Sequence, residues 1–146
     1  MKLKYLMKLK KFIPLCFLSI GTLPLPYQSL AEEKIEVIPL IQTSKGLSGK
    51  NFNYQEGKPE LRLLKVKIPA GIETPIHTHP APMLIHVTRG RLKHVRGEEI
   101  NFFKAGDAFI ESNNGGLHYV KNVGKKPAIL YVGVVSVLGI PSTINK

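Results

Sequence analysis

The chain has 146 residues, with 21 Lys and Arg against 10 Asp and Glu, one cysteine and a formal net charge of +11 at pH 7. A nucleic-acid-binding protein of this charge shows a basic stripe with stacking aromatics. Here the basic residues are scattered, so we expect no nucleic-acid partner and only a modest preference for anions.

The first 31 residues have the layout of a secretory signal peptide. Five lysines precede an apolar run over residues 12–26, and Ser29 and Ala31 are the small residues before a cut at Glu32. The run has about 15 residues against the ~20 of a membrane span, although an uncleaved anchor stays the alternative. Cleavage predicts an exported protein, periplasmic or secreted, with no membrane association afterwards.

The mature domain would be residues 32–146, with 16 basic and 10 acidic residues, a net charge of +6 and no cysteine. A chain of that length suffices for one domain that buries most of its apolar surface. Without cysteine, thiolate chemistry and a cysteine-based metal site are excluded.

Short β-strands separated by turns are predicted along this domain, with no helical period. Residues 43–59, rich in Gly, Ser, Asn and Lys, predict a loop. The near-even spacing of the strands predicts an all-β fold, a small antiparallel barrel or jelly roll. In chain order, strands are predicted at residues 34–41, 61–68, 72–79, 83–89, 91–96, 99–103, 107–111, 117–122 and 128–138.

Three histidines are candidate metal ligands. His77 and His79 are two residues apart on one predicted strand, so their side chains share a face, with Cα atoms roughly 6.5–7 Å apart. His118 follows a Gly-Gly turn. Three imidazoles suit one divalent transition metal, Zn, Fe, Ni, Cu or Mn, with open positions for water or substrate. Spacing alone leaves open that the pair lies on a surface and binds nothing.

The other two histidines have weaker claims. On alternation His86 faces away from Ile85 and Val87, which predicts a surface or inter-sheet position. His94 lies in the basic hairpin of residues 91–96 and is expected to be solvated.

The stretches that carry these histidines resemble the two sequence motifs of the cupin superfamily. The chain also resembles a subgroup of that superfamily, the small exported single-domain cupins. The first motif, G-x5-HxH-x3,4-E-x6-G, is matched over residues 71–90. The second, G-x5-PxG-x2-H-x3-N, is matched at Gly106, His118 and Asn122, with one extra residue before His118 and Asn113 in place of the proline. The resemblance implies a cupin domain over residues 32–146.

One departure from the first motif affects the expected metal site. The glutamate that is the usual fourth ligand aligns with Met83, a thioether that more often fills core space than ligates copper. The site then has three histidines, or Glu111 completes it as fourth ligand or nearby base. Strict alternation turns Glu111 outward and Ile110 inward, whereas a β-bulge reverses this.

The resemblance implies a small-molecule function in one of three forms. The first is a metal-dependent enzyme, of dioxygenase or isomerase type, with Glu111 or Tyr119 as candidate proton carrier, although alternation points Tyr119 away from His118. The second is a non-catalytic cupin that binds a metal or small ligand, and the third a barrel with an empty site. The apolar residues 128–138 favour a homodimer, and alternation predicts a cavity wall of Met83, Ile85, Val87, Ile110 and Val120.

Overall fold

The computed structural model describes residues 34–146. The predicted signal peptide, residues 1–31, lies outside the described residues and remains a prediction. All described strands belong to one compact unit, Val37–Lys146. Within residues 34–146, no helix has the length and apolar character that a membrane crossing needs.

Within residues 34–146, nine strands form three antiparallel sheets, and the all-β prediction is confirmed. The largest sheet has the order β1-β8-β3-β6, a second has the order β5-β4-β7, and β2 pairs with β9. The strands are β1 (Pro59–Ile68), β2 (His77–Thr78), β3 (Met83–Arg89), β4 (Arg91–Arg96), β5 (Glu99–Lys104), β6 (Ala108–Glu111), β7 (Tyr119–Asn122), β8 (Ala128–Val137) and β9 (Ile144–Asn145).

Side-chain alternation along the strands builds the core. On β1 the side chains of Leu64, Val66 and Ile68 point inward, while Leu61 and Leu63 on the other face stay exposed. The inner faces of the sheets meet in one apolar cluster, as in other closed β folds. Its buried members are Ile68, Ala81, Met83, Ile85, Val87, Leu92, Phe109, Ala128, Leu130, Val132 and Val134.

Two predicted strands differ from the structure. Residues 34–41 form no strand within the described chain and Ile35 is 96% exposed, because β-branched residues without a pairing partner do not make a stable strand. The strand predicted over residues 72–79 shrinks to β2 because Pro75 lacks the N–H that a ladder needs. The two-residue β9, which pairs with β2, was not predicted from the sequence.

Two motif residues outside the histidine group hold the backbone together. Gly90 closes β3 with a φ of 101°, and a Cβ there would lie 2.7 Å from the Ala128 Cα, so only glycine fits. The buried Asn122 amide donates hydrogen bonds of 2.9 Å to the carbonyls of Ile68 and Lys126. These bonds tie the end of β7 to the end of β1, next to the start of β8.

Candidate metal centre

The three motif histidines are held together by a short piece of antiparallel backbone pairing. His77 N–H donates to the His118 carbonyl and His118 N–H donates to that of His77, both at 2.9 Å. His79 follows β2 directly, and all three side chains are buried. Backbone pairing between two segments that are distant in the sequence therefore fixes the positions of His77 and His118.

The three imidazole rings lie close together. Their ring centroids are 4.4 Å apart for His77 and His118, 4.9 Å for His77 and His79, and 5.1 Å for His79 and His118. One ligand nitrogen from each ring lies within 4.8 Å of the others. Metal–imidazole bonds are about 2 Å long, so one ion can reach all three rings with little movement.

Backbone carbonyls set the orientation of every ring in this group. The Nδ1 atom of His77 lies 2.7 Å from the Pro75 carbonyl, and that of His118 lies 3.1 Å from the Gly116 carbonyl. His79 Nδ1 lies 2.9 Å from the carbonyl of Ser142. Because a carbonyl only accepts, each Nδ1 carries the proton and each Nε2 keeps a free lone pair. This is the tautomer that metal-ligating histidines adopt, and it fits a divalent metal.

Burial keeps two of the three rings, His79 and His118, neutral. Desolvation lowers the pKa of His118 to about 4, although the Glu111 charge and the Gly116 hydrogen bond oppose it. Desolvation also lowers the pKa of His79, against the opposing hydrogen bond to Ser142. Since a metal binds neutral imidazole, these two rings are ready to ligate at pH 7 without losing a proton.

Glu111 is buried beside the histidines with only 2% of its surface exposed. Its Oε1 atom lies 3.8 Å from His118 Nε2 and 2.6 Å from His94 Nε2, and its Oε2 atom accepts a 2.5 Å hydrogen bond from Arg96. The 2.6 Å contact is poorly aligned, yet it requires a proton on His94 because two lone pairs at that distance repel.

The carboxyl group of Glu111 is ionised. Burial, the largest influence, raises the pKa of Glu111, but the short contact with His94 and the electrostatic influence of His118, His94 and Arg96 together outweigh burial. The net effect is a pKa below the usual value. A negative charge therefore lies next to the three-histidine group at neutral pH.

The expectation that His94 is solvated is wrong. Its side chain is 0% exposed and stacks on His118, with ring centroids 4.8 Å apart and planes 25° apart. It faces inward because it lies two residues after the buried Leu92 on β4, and side chains two residues apart on a strand share a face. The apolar Leu92 two residues earlier was the sequence signal that places His94 on the inner face.

The sequence left the direction of Glu111 open, and the structure turns it inward. Glu111 is the direct partner of Met83 in the β3–β6 register, so the two side chains share a face, and both line the cavity. Counting alternation through the loop to His118 failed because His118 lies outside β7. Ile110 and Val87 do not line the cavity, contrary to expectation, and neither does Tyr119.

The histidines open into a cavity of about 250 Å³ at this end of the barrel. Among the lining residues that the structure describes, the polar side chains other than the three histidines and Glu111 are Thr74, Thr143 and Asn145. No lysine or arginine is among the described residues that line the cavity. The apolar wall consists of Leu64, Val66, Ile68, Pro75, Met83, Ile85, Phe109, Val120, Leu130 and Val132.

The strand order, the histidine pair after β1 and the third histidine before β7 agree with one family. A family model described as "Cupin domain" matches residues 64–135. The chain belongs to the cupin superfamily. No curated protein matches the sequence of this cupin.

Solved structures with the same fold include enzymes. The oxalate decarboxylase of Lactobacillus farciminis, in a formate complex, has a TM-score of 0.50 at 24% identity over 58% of this chain and 26% of its own. An oxalate oxidase has a TM-score of 0.50 at 26% identity, over 58% of this chain and 45% of its own. The polyketide cyclase RemF of Streptomyces resistomycificus has a TM-score of 0.50 at 18% identity, over 61% of each chain. This cupin thus spans less than two thirds of each of these proteins.

Proposed function

We propose that this cupin is exported and binds one divalent transition metal through His77, His79 and His118, where it takes a small molecule. The observation that carries the proposal is the shared orientation of the three buried rings. Each Nδ1 is within hydrogen-bonding distance of a backbone carbonyl, and each Nε2 keeps a lone pair that can bind a metal ion. Three buried imidazoles with free lone pairs, whose ligand nitrogens lie within 4.8 Å of one another, match the donor set of a catalytic metal site.

The donor set suits Zn, Fe, Ni, Cu or Mn, because imidazole binds all of them and residues 34–146 include no cysteine whose thiolate would select a soft ion. When bound, such an ion supplies Lewis acidity or, if it is redox-active, the activation of oxygen. The chain itself supplies neutral ligands, an apolar wall that excludes water, and the buried Glu111 carboxylate at the edge of the site.

The enzymatic form of the proposal is a metal-dependent dioxygenase or isomerase acting on a small, largely apolar molecule. Glu111 is the only carboxylate among the described residues that line the cavity, so it is the candidate proton carrier, and Tyr119 lies outside the cavity. The alternative is a non-catalytic cupin that binds a metal or a small ligand. It is favoured by the fact that both Glu111 oxygens already contact other side chains, His94 and Arg96.

Metal titration of the purified protein tests the metal site. We expect one equivalent of Zn²⁺ to bind, and His79→Ala to weaken binding at least ~100-fold because it removes one of three ligands. His86→Ala is the matched control, since His86 is half-buried on the other face of β3. Equal affinities for the two variants, or no binding by the wild-type protein, would refute the proposal.

Oxygen consumption distinguishes the enzyme from the binder. The Fe²⁺-loaded protein is assayed with a panel of small thiols and diketones, and His79→Ala serves as the inactive control. Turnover that disappears in the variant supports the dioxygenase form. A flat response with every metal that binds retires the dioxygenase form and leaves the isomerase form and the non-catalytic cupin.

Export and self-association belong to the same proposal. Cleavage before Glu32 is tested by the mass of the protein recovered outside the cytoplasm, which should begin at that residue.

A homodimer is supported by the exposed apolar row of Leu61, Leu63 and Leu84 on the large sheet, with Val135 beside Leu61. A single monomeric species in sedimentation would contradict the dimer.

A further inference from the structure

The side chain of Glu111 is held in place by two neighbours that do not line the cavity. Arg96 donates to Oε2 at 2.5 Å, and His94 contacts Oε1 at 2.6 Å. Arg96 also has Glu99 at 3.6 Å on its outer side. A buried carboxylate with two such partners keeps one geometry, because leaving either partner would strand a buried polar group.

That geometry places the carboxylate beside the metal position. Oε1 lies 3.8 Å from His118 Nε2, so an ion on that nitrogen would lie within about 6 Å of Oε1. Glu111 groups with His94 and His118, and the three-histidine group does not include it. At that range Oε1 can accept a hydrogen bond from a ligand whose neighbouring atom binds the metal.

The rest of the cavity offers little to a charged ligand. Its wall is apolar, and its described lining residues include no lysine or arginine. The Arg96 charge is already matched by Glu111. An anion entering the cavity would therefore lose its hydration and face the Glu111 charge, with only the metal to compensate.

We propose, building on the metal site proposed above, that Glu111 is a specificity-determining residue. It selects neutral ligands that bind the metal through one atom and carry an N–H or O–H on the adjacent atom, and it disfavours carboxylates. The donor hydrogen meets Oε1, while the apolar body of the ligand fills the cavity of about 250 Å³. His94 and Arg96 are positioning residues that aim the carboxylate.

Gly115 of the second motif protects this arrangement. A Cβ at that position would lie 3.3 Å from Arg96 Nη2 and 3.5 Å from Glu111 Oε2. The same Cβ would lie 3.0 Å from the Ser112 carbonyl, so a side chain there would crowd Ser112 and Arg96, and the glycine leaves room for both. The motif glycine and the selective carboxylate are thus physically linked.

Pyrazole and 1-methylpyrazole test the proposal by calorimetry on the zinc-loaded protein. Both present a metal-binding nitrogen, but only pyrazole has an N–H on the adjacent atom. We expect wild-type protein to prefer pyrazole at least ~10-fold, the value of a charge-assisted hydrogen bond. In Glu111→Gln the preference should shrink to the steric effect of the methyl group, because the residue keeps its size but turns its amide oxygen to Arg96.

Glu99→Gln is the matched control, because it also removes a carboxylate from Arg96 but lies outside the cavity. It should keep the wild-type preference, and acetate should bind more weakly than pyrazole to the wild-type protein. A second readout needs no variant: in the NMR spectrum, bound pyrazole should show an exchange-protected, downfield N–H proton.

Several results would overturn the proposal. An unchanged pyrazole preference in Glu111→Gln, tight binding of acetate, or an unprotected pyrazole N–H would each refute the selective role of Glu111 while leaving the metal site intact. Failure of the wild-type protein to bind zinc in the first titration would overturn both proposals, and it is recognised before any pyrazole is added.

Discussion

The stability of the metal-free protein should fall as the pH falls from neutral to 5, and His118 should be a main cause. Burial lowers the pKa of His118 from 6.5 to about 4. In the unfolded chain His118 therefore takes up a proton near pH 6.5, whereas in the folded protein it does so only near pH 4. The contribution of His118 to the free energy of unfolding is therefore present in full above about pH 6.5. It is lost progressively as the pH drops from there to about 4.

The magnitude follows from the size of the shift. A difference of about 2.5 pKa units corresponds to about 3 kcal/mol at full effect. About 2 kcal/mol of this is lost between pH 7 and pH 5. His79, whose pKa burial also lowers, adds to the loss in the same direction. The lowered pKa of Glu111 acts mainly below its ordinary value of 4.5, outside the range measured.

Urea unfolding of chelator-treated protein at pH 7 and pH 5 measures this loss. His118→Gln is the informative variant, because it removes the titrating ring from the same buried position. The wild-type protein should lose about 2 kcal/mol more than the variant between the two pH values. An equal loss in both would refute the argument that the buried neutral His118 controls acid stability.

Three further predictions concern the scaffold, all measured by urea unfolding. Asn122→Ala should cost about 3 kcal/mol, because two carbonyls and one N–H lose their partner. Gly90→Ala should cost at least ~3 kcal/mol, since its Cβ would collide with Ala128, whereas Gly97→Ala, with positive φ but open space, should cost about 1 kcal/mol. Equal costs for the two glycines would contradict the collision. Met83→Leu should cost under ~1.5 kcal/mol and leave zinc stoichiometry at its wild-type value; loss of zinc would contradict a packing role.

Most of the barrel was predictable because clear turn residues separate its strands. The bounds of β3 and β4 were predicted to the residue, since Pro82 precedes β3, Gly90 separates the two strands and Gly97 follows β4. The strand predicted at residues 34–41 was wrong because composition indicates β propensity but not whether a pairing partner is present. β9 failed because a two-residue strand has no periodicity to detect.

The site was harder to predict than the barrel. The histidine pair follows from a spacing of two, but its closeness to His118 depends on backbone pairing between distant segments. The roles of His94 and Glu111 were missed or left open for related reasons. Hairpin charge was given more weight than the alternation with Leu92, and the loop after β6 broke the count that would have placed Glu111.

The most direct test of the central claim is an X-ray absorption spectrum of the zinc-loaded protein. If the three Nε2 atoms share one ion, the spectrum should show about three imidazoles at ~2.0–2.1 Å, the remaining scatterers being oxygen or nitrogen. A first shell with one imidazole or none would show that the rings do not meet on a metal.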